Sequence, residues 1–242
     1  MGRAPVLSEP AERVLLASAV ITLFVAGYFT IGTSMSPDRA HTLGTAWDAR
    51  IPFLPRTIWI YLWLFPASLL PLFLLRCRRL FRRTIVAYAL VIAVSLATFA
   101  VFPVTAAELR VPAGSLDTGR LSPWAVATVY RLDPPYNLFP SLHLAVAALA
   151  ALSAWTASRV YGAVVGAGVV LIAISITTVK QHFIADGVAA LALSLAAYVA
   201  VLRPYRPRPG APAAYGWRGP AAYAVLMALV YAGFVAAFLS RG

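Results

Sequence analysis

Asn137-Leu138-Phe139-Pro140-Ser141-Leu142-His143 marks the point where a polar, turn-rich loop gives way to a long apolar run. Pro140 and Ser141 read as a helix start, with Ser141 as the N-cap. The run behind them reaches residue 158. Six more runs of similar character surround it, at about 14–31, 58–75, 84–104, 160–179, 183–202 and 220–239. Most approach the roughly 18–20 residues needed to cross a bilayer. With 61% hydrophobic and 12% charged residues, the composition excludes an ordinary soluble domain. The expectation is an all-α, polytopic membrane helical bundle. Residues 1–202 would form a six-helix core, 203–219 a basic Pro-rich linker and 220–242 an additional C-terminal helix. The first apolar run is long for the core of a signal peptide, and no small-residue cleavage site follows it, so no signal peptide is predicted. Cys77 is the only cysteine and predicts no internal disulfide.

The net charge of +12 follows the apolar segments rather than a nucleic-acid surface. Nineteen of the twenty basic residues are Arg, Lys180 being the exception. With the N-terminus in the cytoplasm, that side holds twelve basic and two acidic residues, and the other side eight basic and six acidic. The positive-inside rule favours this orientation, and the Arg76, Arg78, Arg79, Arg82 and Arg83 cluster is its strongest vote. That cluster reads as a topogenic turn between the second and third segments. The outer side then receives residues 32–57, 105–141 and the turn at 180–182. Within 105–141, Ser122-Pro123 predicts the N-cap and first position of a short surface helix. Arg131 and Asp133 are expected to form a local loop ion pair, and His41 to be a surface residue.

Two of the three histidines fall on this one face. His182 and Asp186 share a side of a helix at i and i+4. A carboxylate there fixes the tautomer of the imidazole and leaves its other nitrogen as base or nucleophile. A carboxylate in a membrane segment needs such a partner. The alternative is a helix-end pair that satisfies hydrogen bonds and nothing more. Lys180 adds positive charge beside the imidazole, as phosphoryl chemistry requires. His143 stands at a helix N-terminus, whose free N–H groups suit an anion, and there it can serve as a general acid. Two His and one carboxylate also match a mononuclear iron ligand set, although the Lys180 cation opposes a metal. A non-catalytic lipid binder or transporter is the third reading, opposed by the gathering of polar residues at one face.

Two motifs carry a resemblance. Asn137-Leu138-Phe139-Pro140-Ser141-Leu142-His143 resembles the Pro-Ser-x-His motif of the type 2 phosphatidic acid phosphatase superfamily, and Lys180-Gln181-His182-Phe183-Ile184-Ala185-Asp186 its His-x-x-x-Asp motif. The segment Asp48 to Tyr61, with Ile51-Pro52-Phe53-Leu54-Pro55, is similar to the branch of inositol phosphorylceramide synthases and their bacterial relatives. The resemblance covers residues 45–202. It implies a lipid phosphatase or phosphotransferase with catalytic His143, His182 and Asp186. His182 would be the nucleophile, Asp186 its orienting partner and His143 the proton donor. Where the phosphatases have Ser-Arg before the second His, this chain has Ser175-Ile176, and the upstream Lys…Arg-Pro motif is absent. Phosphate binding therefore falls to Lys180 and Arg110, with Ser141, Asn137 and Gln181 beside them. No cofactor and no metal are implied. The expected partners are a lipid phosphate (phosphatidate, polyprenyl phosphate or phosphoinositide class) and the membrane lipids, with no nucleic acid. The apolar runs and the charge count together predict a multi-pass cell-membrane protein with a cytoplasmic N-terminus and an extracytoplasmic active site.

Overall fold

The computed structural model describes residues 8–206 and 213–241. Its elements are helices, and among the described residues no strand forms, only three isolated β-bridges. Helices α1 (Glu9–Ser34), α6 (Arg78–Val101), α9 (Arg159–Thr178), α10 (Ile184–Ala197, continued by a π turn over Tyr198–Leu202) and α11 (Arg218–Leu239) form the long set. By length and composition these five are able to cross a membrane. Helix α8 (Leu142–Ala157) is apolar but only 16 residues long. A polytopic helical bundle is therefore the fold, as the apolar segments predict.

The second apolar segment is not one helix. It breaks into α3 (Ile58–Tyr61), α4 (Leu64–Ala67) and α5 (Leu70–Leu74). Pro66 and Pro71 lie within it, and a proline lacks the N–H that a continuous helix needs. A short α2 (Ala46–Arg50) precedes it.

Helix α8 is the axis of the bundle. From Leu142 to Ala151 each residue is buried. Its alanines give it a thin profile, so α6, α9, α10 and the α4–α5 segment all pack against it. At the α8–α9 turn a Cβ on Gly162 would strike the backbone of Trp155, so only glycine permits this close return. Gly32 does the same for α1: a Cβ there would collide with Pro134 and with the Asn137 amide. Its absence lets α1 lie directly on the loop that leads into α8.

At one end of the bundle, α6 begins at Arg78, so Arg78, Arg79, Arg82 and Arg83 lie in its first turns and not in a connecting turn. Positive side chains there oppose the helix dipole. Glu12 of α1 compensates, accepting from both Arg78 and Arg82. Arg13 donates to the Leu75 and Arg76 carbonyls, tying α1 to the start of α6.

Helix α7 (Leu121–Leu132) lies at the opposite end, as a short helix in the long loop. Its N-cap is Arg120, two residues before the predicted Ser122. Pro123 fits within the first turn, where its missing N–H costs nothing. The Ser122 hydroxyl instead accepts from the Trp59 indole at 3.0 Å. Helix α11 docks on α5 and α7, and the Tyr231 hydroxyl donates to the Trp59 carbonyl at 2.6 Å. Arg208 and the neighbouring prolines of the expected linker lie outside the described residues.

Candidate active site

The turn between α9 and α10 presents His182, which is 3% exposed. Its Nδ1 lies 3.2 Å from Asp186 Oδ2 and its Nε2 lies 3.2 Å from the Ser141 hydroxyl. A proton on Nδ1, shared with the carboxylate, leaves the Nε2 lone pair facing Ser141. Asp186 is fully buried, and the same Oδ2 accepts the Phe183 N–H at 2.9 Å. The carboxylate thus caps the start of α10 and holds the imidazole at once. Its other oxygen, Oδ1, is buried without a partner.

Ser141 occupies the N-cap position of α8, yet its side chain makes no capping hydrogen bond. The hydroxyl is turned to His182. Its backbone N–H donates to the Asp186 carbonyl at 3.2 Å, joining the N-termini of α8 and α10. His143, in the first turn of α8, is walled edge-on by Phe24, Tyr28 and Phe65 at centroid distances of 5.2, 5.3 and 5.4 Å. Asn137 is buried. Its amide donates to the Tyr28 carbonyl at 2.6 Å, while its Oδ1 is buried without a partner.

A polar network adjoins the histidines. Arg110 donates through Nε to Gln181 Oε1 at 2.7 Å and through Nη1 to the Tyr130 carbonyl at 2.9 Å. Its Nη2 lies 3.5 Å from Asp133 Oδ2. The Gln181 amide donates to the same Asp133 oxygen at 2.9 Å and reaches the Tyr61 hydroxyl at 3.3 Å. The Tyr28 hydroxyl donates to Asp133 Oδ1 at 2.7 Å. Tyr130 stacks under the Arg110 guanidinium and donates to the Val179 carbonyl at 2.6 Å. Burial pushes its phenol up to about 12, so it remains a neutral donor.

Asp133 is the residue the sequence reading misplaced. Arg131 turns to the Thr128 hydroxyl at 3.4 Å, and Asp133 instead joins Arg110, Gln181 and Tyr28. Its partners lie 23, 48 and 105 positions away, beyond any local periodicity. The preceding-loop position before Pro134-Pro135 was the only signal. Lys180 adopts φ 57°, in the left-handed region. Its ammonium donates to the Asp48 and Ile51 carbonyls at 3.1 and 2.6 Å. Burial pulls its pKa below the usual value, with the Asp48 charge opposing. His41 is exposed, stacks on Phe102 at 4.5 Å and takes no part in these contacts.

The structure therefore brings Ser141, His182 and Asp186 into direct contact and sets His143 one residue beyond Leu142 on the same helix start. Arg110 and Gln181 join one another beside them. His143, His182 and Asp186 are not arranged as a metal-ligand set: among the described residues no three His, Cys, Asp or Glu side chains converge as one.

The chain is thus a polytopic helical bundle with five helices able to cross a membrane, and at one helix start it holds an imidazole between a carboxylate and a serine. A model of the PAP2 superfamily matches residues 42–200, and the chain belongs to that superfamily. Its function is accordingly of the phosphatase or phosphotransferase type. No curated protein and no solved structure matches the chain.

Proposed function

We propose that this protein is a metal-independent lipid phosphatase or phosphotransferase that works through a phosphohistidine on His182. The observation that carries the proposal is the Asp186–His182–Ser141 chain of contacts at the N-terminus of α8. Nε2 of His182 attacks phosphorus. The bond from phosphorus to the leaving lipid oxygen breaks, and His143 gives that oxygen its proton. Asp186 holds the Nδ1 proton and offsets the charge that grows on the imidazole. Water then attacks the phosphohistidine, His143 takes its proton back from the water, and the P–N bond breaks to release phosphate. Balanced over both steps, one water is consumed and His182 is regenerated.

The phosphate oxygens lie at the start of α8, where backbone N–H groups and the helix dipole favour an anion. We assign phosphate binding to the Ser141 hydroxyl, Arg110, Gln181 and the Asn137 amide, the last three exchanging protein acceptors for phosphate oxygens, with Lys180 adding positive charge at the same turn. The excess of Arg at the opposite end supports an extracytoplasmic site, with the N-terminus in the cytoplasm. The same phosphoenzyme serves a transferase when a lipid or sugar alcohol takes the place of water. The similarity of the Asp48–Tyr61 segment to inositol phosphorylceramide synthases supports including such an acceptor.

Purified protein in detergent, given phosphatidate and polyprenyl phosphates with and without inositol or diacylglycerol, tests the reading. Wild type is expected to release phosphate or transfer it after chelator treatment, and His182→Ala to do neither. Equal, background release by both proteins on every substrate would sink it.

A further inference from the structure

Three hydrogen-bonded crossings join residues 45–57 to residues 178–184. At the first, Leu54 N–H donates to the Thr178 carbonyl at 2.9 Å and the Thr57 and Thr178 hydroxyls meet at 2.8 Å. At the second, the Lys180 ammonium lies on the Asp48 and Ile51 carbonyls. At the third, Asp48 Oδ1 accepts the Ile184 N–H at 2.8 Å. His182 stands between the second and the third.

We propose that residues 45–57 form a strap that positions His182, with Asp48 as its positioning residue. Asp48 is 4% exposed and never reaches the imidazole. It acts through the backbone on either side. Its carboxylate is itself fixed, because Oδ2 accepts the Thr45 N–H at 2.9 Å and the Thr45 hydroxyl at 2.5 Å in a capping box on α2. The remaining oxygen is thereby aimed at Ile184, the first residue of α10 and the owner of one of the N–H groups that a helix leaves unpaired at its start. The carboxylate caps α10 from outside while Asp186 caps it from within.

The Lys180 crossing explains an unusual backbone. A φ of 57° is a region that non-glycine residues avoid. A glycine would adopt it freely but could not reach the strap. Lys180 keeps the turn left-handed and spends two ammonium donors on holding it there. With residues 178, 180 and 184 all tied to one segment, the imidazole has little room to drift from Asp186 and Ser141. Without the strap, the first turn of α10 is free to loosen and the Nδ1–Asp186 and Nε2–Ser141 distances are no longer set. A displacement of about 1 Å at a reacting group is enough to cost on the order of 100-fold in rate.

The catalytic arm of this inference rests on the phosphohistidine reading above; the structural arm does not. Full-length protein is prepared as wild type, Asp48→Ala and Asp48→Asn. Hydrogen–deuterium exchange over residues 180–186 is measured together with kcat and KM for lipid-phosphate hydrolysis. Asp48→Ala is expected to speed exchange in that segment, to leave α6 and α8 protected, and to lower kcat about 100-fold with KM unchanged. Asp48→Asn keeps an oxygen for Ile184 and should recover part of the loss. Should Asp48→Ala fail to fold, Asp48→Asn and Thr45→Val carry the same comparison at smaller amplitude. Wild-type exchange over 180–186 in the variants, or a rise in KM with kcat intact, overturns the strap. Faster exchange in variants of a protein that neither hydrolyses nor transfers a lipid phosphate upholds the strap and fails the phosphohistidine reading.

Discussion

The two ends of the bundle each hold a carboxylate between cationic or polar partners, and they differ in what surrounds the partners. Glu12 and Asp133 are almost equally covered, with side chains 10% and 13% exposed. The arginines around Glu12 are 35% and 54% exposed, whereas Arg110 beside Asp133 is 12% exposed. If Glu12 is removed, Arg78 and Arg82 can turn to water or to lipid headgroups. Arg110 has no such exit, and Gln181 and Tyr28 would lose an acceptor with it. The cost of deleting a carboxylate is therefore set by the partners it leaves behind, not by its own burial.

The comparison can be broken at several points. The largest effect is expected at Asp133. Asp133→Ala leaves a covered guanidinium without its counter-ion and should destabilise the fold by about 3–5 kcal/mol, read as a fall in the thermal midpoint in detergent. A midpoint equal to wild type would mean that Arg110 finds another acceptor. Next comes Asp186→Asn. The amide no longer holds the Nδ1 proton as a carboxylate does, and turnover should drop by about 100-fold or more while the helical content stays. Turnover near wild type would contradict the orienting role. Tyr28→Phe removes one donor to a charged acceptor and should cost about 1.5–3 kcal/mol. Glu12→Gln should cost about 1 kcal/mol or less, shrink further with added salt, and leave kcat unchanged. A Glu12 variant that loses more stability than the Asp133 variant would reverse the ranking of the two ends.

The smallest effect is one of pH. Burial pushes the Asp48 carboxyl up, but the hydrogen bonds from the Thr45 hydroxyl, the Ile184 N–H and the Thr45 N–H more than offset it, so its pKa lies below the usual 3.8. A lowered folded pKa contributes stability that is present above the unfolded value and is lost as pH falls through the folded one. Wild type should therefore lose stability below about pH 4, and Asp48→Asn should lose less over the same window. Parallel losses in the two proteins would remove Asp48 from the acid response.

How much of this was legible in the sequence depends on the range of each interaction. Membrane helices announce themselves locally, through runs of apolar residues, so α1, α6, α9, α10 and α11 are all readable, although the charged first turns of α1 and α6 begin five and six residues ahead of their apolar runs. Pro66 and Pro71 were equally visible, yet a hydropathy run hides the breaks they impose. The spacing of the His182–Asp186 pair pointed to their contact, but not for the helical reason: His182 stands in the turn ahead of α10, and Asp186 reaches back over the helix start to meet it. The contact of Ser141 with His182 was not readable, since both a capping and an inward-facing hydroxyl suit a helix start, and only the approach of α10 decides between them. Asp133 and Asp48 were read as loop residues because their partners come from remote segments. Their importance is a property of the assembled fold, and a chain read in order offers a loop acid only a near neighbour, as Arg131 for Asp133.

The claim that His182 carries a phosphoryl group is tested most directly by trapping it. Protein is quenched within a turnover of a lipid substrate labelled with radioactive phosphate, and the protein-bound label is mapped by peptide analysis. The account predicts an acid-labile, alkali-stable label on His182 in wild type and none in His182→Ala. Label or full turnover in His182→Ala would contradict it.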